Sequence, residues 1–412
     1  MSKKTSDIPL NILITGAQLD NKGAESMLYI TVDEMKKRFP NSTIFFASGC
    51  DYNGTNFTFE KLIMTPIGLR IAKGGVRGIF AAAEGICKDA IKVCLGKRNN
   101  IGHNFDVKKI INKIDLMIDV SGFNLGNQWN KKTHQIYLDR IELAKKNNIP
   151  VYLMPQSFGP FDYKSEMECT KKRMAYLLQY PNMIFAREKE GYEDLINTFG
   201  LSNVKCSTDL VLQNTGVNLG NIFINKPLLN VPKVDGDAVV GIIPNQQCYN
   251  HGNKKSIIDL YTKIIKQLLS DGNRIIIFRH SKEDLDMCTD IYDKFRGNSS
   301  VLLETKEFSC LEYDEYVKQF SFIICSRFHG IVHAYRNYVP AIALGWAIKY
   351  KALARCVNQE QYSFDITDER CSPECVVSAV CDMEKKYLDN KRIIKTYVTE
   401  IQKDNCFDQI KI

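Results

Sequence analysis

Several patterns that would assign this sequence to a class are absent from its 412 residues. There is no apolar run of about 18 residues, the length that a transmembrane helix needs, so we predict no membrane-spanning helix. The first residues, Met1 to Asp7, are polar and lead directly into a predicted strand, which is not the pattern of a secretory signal peptide. We therefore expect a cytoplasmic protein.

The 14 cysteines form no C-x-x-C pair. Their only cluster, Cys371-x3-Cys375-x5-Cys381, lacks zinc-ribbon spacing and has no histidine nearby. Since no export signal accompanies them, we interpret the cysteines as reduced thiols that serve mostly as small core residues. No metal site and no resident cofactor are predicted.

The composition itself is ordinary for a globular protein, with 44% hydrophobic and 25% charged residues. A chain of this length exceeds one ordinary core and suits two domains of about 150–200 residues each. The net charge of +8 is moderate, and we predict no nucleic-acid partner. The charge is uneven, because the stretch from Pro66 to Arg98 holds seven basic residues against two acidic ones.

Strand-like apolar runs alternate with helix-like segments in two blocks, a pattern typical of parallel sheets with crossover helices. A segment rich in Asn, Gly and Pro, around 213–237, separates the blocks and indicates an interdomain linker. The predicted fold class is α/β, with two Rossmann-like domains facing a cleft. We predict an N-terminal domain over 1–215 with a basic amphipathic excursion at about 66–110, a C-terminal domain over 216–380, and a helical tail over 381–412 that can return to the first domain.

The most informative motif is Ser326-Arg327-Phe328-His329-Gly330, which directly follows a short apolar run that ends at Cys325. This order predicts a loop at the carboxyl end of a parallel strand, where open α/β sheets bind ligands. Arg327 offers a planar fork of donors for phosphate or carboxylate, and His329 can carry a proton near neutral pH. Gly330 lets the backbone approach a ligand closely. A surface ion pair is the alternative interpretation of an Arg-x-His loop.

Five blocks, in order along the chain, resemble the polysaccharide pyruvyl transferase family. They are Asn11–Gly16 with Asn21–Leu28, Asp119–Asn124, Met154–Phe161, Phe185–Glu188 with Ser207–Asp209, and Cys325–Gly330 with Val339–Leu344. Two positions depart from the family pattern. Ala24 stands where the family usually has an aspartate, and Gly122-Phe123-Asn124 replaces a glycine triplet. A non-catalytic glycan-binding relative is therefore an alternative.

The resemblance implies a GT-B-like enzyme that moves the enolpyruvyl group of phosphoenolpyruvate onto a sugar of a cell-surface polysaccharide, such as an exopolysaccharide or capsule, or onto its precursor. The product is a pyruvate ketal, and phosphate is released. The acceptor is a sugar or a lipid-linked glycan. No metal is required, and phosphoenolpyruvate is a co-substrate. A glycosyltransferase of the same fold, with a nucleotide-sugar donor, is the competing enzyme class.

On the donor side, the resemblance implies that Arg327 and Arg187 face each other across the cleft and each hold one anionic group. The backbone at Phe328 and Gly330, at a helix start, adds donors for phosphate. His329 is the expected general acid, and His280 is expected to line the same cleft. For Arg187 the alternative is the start of a surface helix.

On the acceptor side, the expected contacts are Asn21, Glu25, Asn124, Gln156 and Ser157. Asn21 and Glu25 can equally be helix caps. Gln156 and Ser157 follow a strand predicted at 150–154, and a structural turn also explains them.

The basic stretch contains an apolar stripe at helical spacing, which predicts an amphipathic helix. Lys88 and Lys92 lie on its other face. The helix either packs on its own domain or contacts an anionic membrane, in which case the protein is peripheral at the inner face. The stripe consists of Ile79, Ala83, Ile86, Ala90 and Cys94, with Phe80, Cys87, Ile91 and Leu95.

Overall fold

The computed structural model describes residues 9–49, 55–94, 102–163, 167–236, 238–368 and 371–412. The first half of the chain forms an eight-stranded sheet whose neighbouring strands all pair in parallel. Its strands are β1 (Asn11–Thr15), β2 (Thr43–Ser48), β3 (Glu60–Ile63), β4 (Leu116–Asp119), β5 (Phe123–Leu125), β6 (Val151–Phe158), β7 (Met183–Ala186) and β8 (Val204–Cys206). Their spatial order is β3-β2-β1-β4-β6-β7-β8, and β5 pairs with β6.

Helices cover this sheet, and several begin at side chains that cap free backbone amides. Asn21 caps the first helix, Thr65 caps the second ahead of a proline at its first turn, and Asn130 caps the fifth. The helices are α1 (Lys22–Arg38), α2 (Pro66–Lys73), α3 (Gly75–Cys94), α4 (Asp106–Ile110), α5 (Lys131–Lys146), α6 (Glu168–Leu177), α7 (Lys189–Phe199) and α8 (Leu210–Gln213).

The second half forms a six-stranded parallel sheet in the order β11-β10-β9-β12-β13-β14. Its strands are β9 (Val239–Ile243), β10 (Arg274–Phe278), β11 (Val301–Glu304), β12 (Phe322–Cys325), β13 (Ala341–Gly345) and β14 (Ser363–Asp365). The helices are α9 (Cys248–His251), α10 (Lys254–Ser270), α11 (Leu285–Tyr292), α12 (Cys310–Val317), α13 (Phe328–Arg336), α14 (Ile348–Cys356) and α15 (Pro373–Ile401).

Strand order reverses at one point in each sheet, between β1 and β4 in the first and between β9 and β12 in the second. The loops that leave these strands at their carboxyl ends diverge to opposite faces of the sheet and open a crevice, which is where doubly wound sheets bind ligands. The two sheets therefore each contribute one switch point to the region that separates them.

The two halves are packed together by one apolar cluster, which includes Met27 of α1, Phe328 of α13 and Phe407 near the chain end. A buried polar contact joins them as well, because the Ser26 hydroxyl lies 3.2 Å from Nε2 of His333. The segment after α15 contacts the first half of the chain. Asn405 donates to the Glu34 carboxylate of α1 at 3.0 Å, and the amide of Lys411 donates to the hydroxyl of Tyr152 at 2.9 Å.

The strand predicted at 150–154 is too short. It continues through Phe158, so Gln156 and Ser157 lie within β6 rather than after it. The reason is that β6 pairs with β4, β5 and β7 and is buried along its whole length. This pairing stabilises the strand more than the turn tendency of the residues after Met154 opposes it.

The cysteines only partly follow the expectation of small core residues. All 13 in the described ranges are free thiols, but only five are buried, five are exposed and three are intermediate. The exposed cysteines lie on the outer sides of helices or at a strand end. The prediction that the cysteines serve mostly as core residues is therefore wrong. Within the described residues, no helix is both long and apolar enough to cross a membrane.

Candidate active site

Two adjoining cavities occupy the cleft between the sheets. The first has a volume of about 630 Å³, and we call it the basic cavity. The second, of about 520 Å³, contains four carboxylates, and we call it the acidic cavity. They form one continuous cleft, because Phe123, Gln128, Trp346 and Lys349 line both.

The lining of the basic cavity comes from β5 and from the segments that follow β1, β5, β9, β10, β12 and β13. It consists of Asn21, Phe123, Gln128, Trp129, Asn245, Gln247, His280, Arg327, Phe328, His329, Trp346, Lys349 and Tyr350. The acidic cavity lies farther toward β6 and α7, and its carboxylates are Glu188, Glu190, Asp194 and Asp365.

Arg327 extends from the loop after β12 and is oriented by carboxylates of the loop after β10. Its Nε donates to both oxygens of Asp284, at 3.1 and 2.9 Å, and its Nη2 donates to Asp284 and to Glu283. Asp284 is fully buried, so this pair fixes the plane of the guanidinium. Nη1 makes no hydrogen bond to any residue in the described ranges.

The first turn of α13 provides further donors. No side chain caps this helix, whose N-cap residue is Arg327, so the amides of Phe328 and His329 are not occupied by a capping group. Gly330 has a packing role, since a Cβ there would lie 2.7 Å from the Cys325 sulfur and 3.0 Å from the Tyr313 hydroxyl. Gly330 is buried and does not line either cavity.

His329 is partly buried and sits where the two halves meet. Its Nε2 has no hydrogen-bond partner among the described residues, and the nearest carboxylate oxygen, Oδ2 of Asp209, is 3.7 Å away. On the side of α1, a Cβ at Gly23 would overlap the imidazole ring. Burial is the main cause that lowers the pKa of His329 to about 3. The Asp209 carboxylate opposes this shift, and the positive charges of Arg187 and Lys349 act in the same direction as burial. The ring is therefore neutral near neutral pH.

His280 also lines the basic cavity, as predicted for this side of the cleft. Its ring is buried and packs edge-on against Tyr313, with 4.9 Å between the ring centres. Its backbone carbonyl accepts a hydrogen bond from the Lys22 ammonium at the start of α1. Burial holds the pKa of His280 well below its usual range, and the Lys22 charge acts in the same direction.

Arg187 is a buried residue and does not start a surface helix. Its Nε donates to the Ser157 hydroxyl at 2.9 Å and to Glu188 at 3.0 Å, and its Nη1 donates to Asp209 at 2.9 Å. The guanidinium carbon lies 4.3 Å from the centre of the Phe328 ring. Arg187 lines neither cavity. It contacts Phe328, which lines the basic cavity, whereas Arg327 lines that cavity directly.

Two of the five predicted acceptor residues border the cleft. Asn21 caps α1 by accepting from the amides of Gly23 and Ala24, at 3.1 and 3.2 Å, and it also lines the basic cavity. Ser157 lines the acidic cavity and donates to Glu188 at 2.6 Å.

The other three are not among the lining residues. Glu25 is buried between the halves, where it accepts from the Cys310 amide at 2.8 Å, and burial raises its pKa. Gln156 is fully buried and accepts from the Tyr137 hydroxyl at 3.0 Å. Asn124 lies in β5, next to the cavity residue Phe123.

Lys349 borders both cavities but was not predicted from the sequence as a site residue. It follows β13, and its Nζ lies 5.5 Å from the ring centres of both Phe123 and Phe328. Burial, together with the nearby charge of Arg187, lowers the pKa of Lys349 to about 8. Ligands of open α/β sheets bind at the carboxyl ends of the parallel strands. The segment after β13 could therefore have been predicted as part of the site.

Aromatic residues were also missed. The chain has only two tryptophans, Trp129 and Trp346, and both line the basic cavity. Phe123 joins them from β5, with its ring centre 5.8 Å from that of Trp129. No local pattern distinguishes these residues from core aromatics, and only their position in the cleft does.

One group of three possible metal ligands occurs in the described part of the chain, formed by Asp271, Cys381 and Glu384. It borders neither cavity of the cleft. Burial raises the pKa of Glu384 to about 7. Cys381 belongs to the cysteine cluster seen in the sequence, but its neighbours here are carboxylates rather than the other two cysteines.

Comparison with solved structures shows the fold. The UDP-GlcNAc 2-epimerase of Methanocaldococcus jannaschii is 15% identical with a TM-score of 0.54, covering 95% of this chain and 100% of that chain. The Neisseria meningitidis UDP-GlcNAc 2-epimerase bound to UDP-GlcNAc is 13% identical with a TM-score of 0.53, covering 96% and 100%. S. aureus TarM, in complex with UDP and other ligands, is 10% identical with a TM-score of 0.51, covering 96% of each chain.

At these identities the likeness concerns the fold alone, and it confirms the predicted GT-B-like arrangement of two α/β domains. No curated protein sequence matches the chain. The family model for polysaccharide pyruvyl transferase matches residues 21–347, which include the Arg187 loop, the Ser326–Gly330 motif and both tryptophans. The resemblance seen in the sequence is thereby confirmed, and this chain is a transferase that belongs to the polysaccharide pyruvyl transferase family.

Proposed function

We propose that this protein transfers the enolpyruvyl group of phosphoenolpyruvate to a sugar of a cell-surface polysaccharide or its precursor, forming a pyruvate ketal and releasing phosphate. Family membership supports pyruvyl transfer onto polysaccharide. The observation that carries the choice of donor is the free Nε2 of His329, held in the same cavity as Arg327, Lys349 and the uncapped start of α13.

Phosphoenolpyruvate carries a phosphate and a carboxylate, and the basic cavity offers a donor set for each. Nη1 of Arg327 and the ammonium of Lys349 supply positive charge, and the amides at the start of α13 supply N–H groups where the helix dipole favours an anion. The carboxylates of the acidic cavity repel a trianionic donor, so charge favours the basic cavity as the donor site.

Binding of the donor enables His329 to take up the proton that the reaction uses. Before the donor binds, His329 is neutral near neutral pH, because burial disfavours the imidazolium. A phosphate and a carboxylate nearby favour the charged ring, so donor binding raises the pKa of His329. The ring then enters the reaction as an acid. General-acid catalysis of this kind contributes roughly 10²–10⁴-fold to a rate.

In the first step, the proton on His329 moves to the methylene carbon of the donor, which becomes a methyl group. The adjacent carbon gains positive charge, and one sugar hydroxyl adds to it and releases its proton. The bond from that carbon to the phosphate oxygen then breaks, and a second hydroxyl of the sugar takes the place of phosphate and releases its own proton. One proton restores His329 and the other leaves with phosphate, so a ketal and inorganic phosphate remain.

The acidic cavity is the acceptor site in this proposal. Glu188, Glu190 and Asp194 can accept hydrogen bonds from sugar hydroxyls, and burial raises the pKa of Asp194. Phe123 and Trp346 offer apolar ring surface for the flat face of a sugar at the junction of the two cavities. A sugar there has its hydroxyls next to a donor in the basic cavity.

Incubation with phosphoenolpyruvate and a panel of polysaccharide repeat units tests the proposal. We expect released phosphate and an acceptor whose mass has increased by pyruvate less one water. UDP-GlcNAc, in a parallel incubation, serves as the competing donor. Sugar transfer from UDP-GlcNAc, with no phosphate release from phosphoenolpyruvate, would establish the glycosyltransferase alternative. Binding of glycan without turnover of either donor would indicate the non-catalytic relative.

A further inference from the structure

The hairpin of α2 and α3, between β3 and β4, contains a helix that presents most of its apolar surface outward. The buried residues of α3 are only Gly78, Ala81 and Gly85. A Cβ at Gly78 would lie 3.1 Å from the Arg70 carbonyl oxygen of α2, so α3 packs on its neighbour through small residues. Packing against α2 therefore does not bury the larger apolar side chains of α3.

Those larger side chains are exposed. Of the 15 large hydrophobic residues found exposed in the described chain, six lie on this one helix. At 3.6 residues per turn they fall within one arc of about 160°, with Ala83, Cys87 and Ala90 between them. The six are Val76, Ile79, Phe80, Ile86, Ile91 and Val93, with exposed fractions of 55–72%. A continuous apolar surface of this kind marks an interaction site.

Positive charge is concentrated in the same segment. Residues 66–113 contain ten basic and three acidic residues, a formal charge of +7 against +8 for the whole chain. On α3, Arg77, Lys88 and Lys92 follow one flank of the apolar face. Lys88 pairs with Glu84 at 2.7 Å, but both are solvent-accessible, and such pairs contribute little and exchange readily.

We propose that α3 docks this protein on an anionic lipid surface. The helix lies in the plane of the surface, with its apolar face among the outer acyl segments and its basic flank on the headgroups. Charge decides between a lipid surface and a second copy of the chain. Two copies joined through this face would bring two segments of +7 together, whereas an anionic bilayer satisfies the apolar face and the charge at once.

The topology places the start of the hairpin at the end of the first sheet where the cleft lies. Since α2 follows the carboxyl end of β3, the hairpin leaves the sheet at the same edge that carries the loops after β1 and β4. The lipid contact requires no substrate and is independent of the function proposed above.

Co-sedimentation of the full chain with vesicles of phosphatidylglycerol and phosphatidylcholine tests the proposal, with pure phosphatidylcholine as the neutral reference. We expect binding to the anionic vesicles at low salt and loss of binding at high salt, since screening weakens surface charge. Absence of binding to anionic vesicles at low salt, or equal binding to neutral ones, would overturn the proposal.

Two variant sets separate the apolar and the charged contributions. Replacement of Ile79, Phe80 and Ile86 with Gln should abolish binding, whereas the matched control, Ile224→Gln with Leu228→Gln, should retain it because those exposed residues lie outside α3. Replacement of Arg77, Lys88 and Lys92 with Gln should reduce partitioning about 100-fold, since each basic residue contributes about 1 kcal/mol at an anionic surface. The same change at Lys172, Lys391 and Arg392 removes equal charge elsewhere and should have little effect.

Thermal unfolding of each variant checks that the fold is intact. Sedimentation velocity without lipid tests the alternative that a second copy of the chain covers the apolar face of α3. We expect the unmodified chain and the Ile79, Phe80 and Ile86 variant to have the same oligomeric state. A dimer that the triple apolar variant converts to monomers would show that α3 is a subunit interface, and it would end the lipid proposal.

Discussion

The guanidinium carbon of Arg187 lies 4.3 Å from the centre of the Phe328 ring, so a loop of the first domain stacks on the first helical residue of α13 in the second. The same guanidinium donates to Asp209 at 2.9 Å, and Asp209 lies 3.7 Å from His329. The environment of His329 thus depends on both domains at once. A change in the angle between the domains would alter this stack and the environment of the proposed acid together.

We expect His329→Gln to reduce kcat by about 10²–10⁴-fold while the Kd for phosphoenolpyruvate changes only a few-fold. The proton donor acts in the transition state, whereas Arg327 and Lys349 hold the ground-state anion. Single-turnover rates and calorimetric binding measure the two quantities. A glutamine variant with near-normal turnover would remove His329 from the chemistry.

Gly23→Ala tests the close approach of α1 to the imidazole. The new Cβ would overlap the His329 ring and displace it, and a displacement of about 1 Å can reduce turnover by about 10². Gly49→Ala is the matched control, because a Cβ at that position meets nothing within 4 Å. We expect kcat to fall only in the first variant. Equal activity of the two would mean that the ring position is not critical.

Arg187 and Arg327 should respond differently to the same Arg→Lys change. Arg187→Lys leaves Ser157, Glu188 and Asp209 short of donors in a buried site, so we expect a loss of about 1–3 kcal/mol in the free energy of unfolding with little change in donor affinity. Arg327→Lys loses the planar fork beside the basic cavity and should raise the Kd for phosphoenolpyruvate about tenfold.

Urea unfolding and calorimetry on both variants distinguish these outcomes. If Arg187→Lys weakened donor binding as strongly as Arg327→Lys while unfolding normally, Arg187 would contact the donor directly, as expected from the sequence alone.

The protein should lose stability on acidification through His329. Its pKa is about 3 in the folded chain and about 6.5 in an unfolded one, so between these values the unfolded chain binds a proton that the folded chain excludes. The stabilisation is fully present above pH 6.5 and decreases as the pH falls. Between pH 7 and pH 5, His329→Gln should reduce the loss in the free energy of unfolding by about 1–2 kcal/mol.

Denaturant titrations at several pH values measure this difference. His280 is shifted in the same direction and remains in the variant, so part of the acid sensitivity should persist. An identical pH dependence in both proteins would mean that His329 is accessible to solvent protons in the folded state.

Much of the fold follows from local patterns. Runs such as Ile323-Ile324-Cys325 are apolar along their whole length because strands of a covered parallel sheet are buried on both faces. The placement of Arg327 and His329 follows from such a run, since what comes after a parallel strand lies at the ligand edge of the sheet. Both features follow from the order of residues along the chain. The region that matches the family model includes this strand and its loop.

Burial of polar residues could not be read from the sequence. Gln156 resembles a turn residue locally, but pairing of β6 with β5 and β7 places it in the core. Arg187 resembles the start of a surface helix, but it is closed in by Phe328, which is 141 positions away. Such contacts depend on the packing of distant segments, for which a single sequence contains no local signal.

The sequence by itself determined the alternation of strands and helices, the position of the Arg327–His329 loop, and the amphipathic stripe of α3, because each depends on periodicity or on chain order. Only the tertiary structure decided which residues of the stripe are exposed and that Lys349 and both tryptophans line one cleft. It also decided that Arg187 is buried against the ring of Phe328. The physical reason is that exposure, charge environment and stacking are properties of the space between segments, and that space exists only once the two domains have packed together.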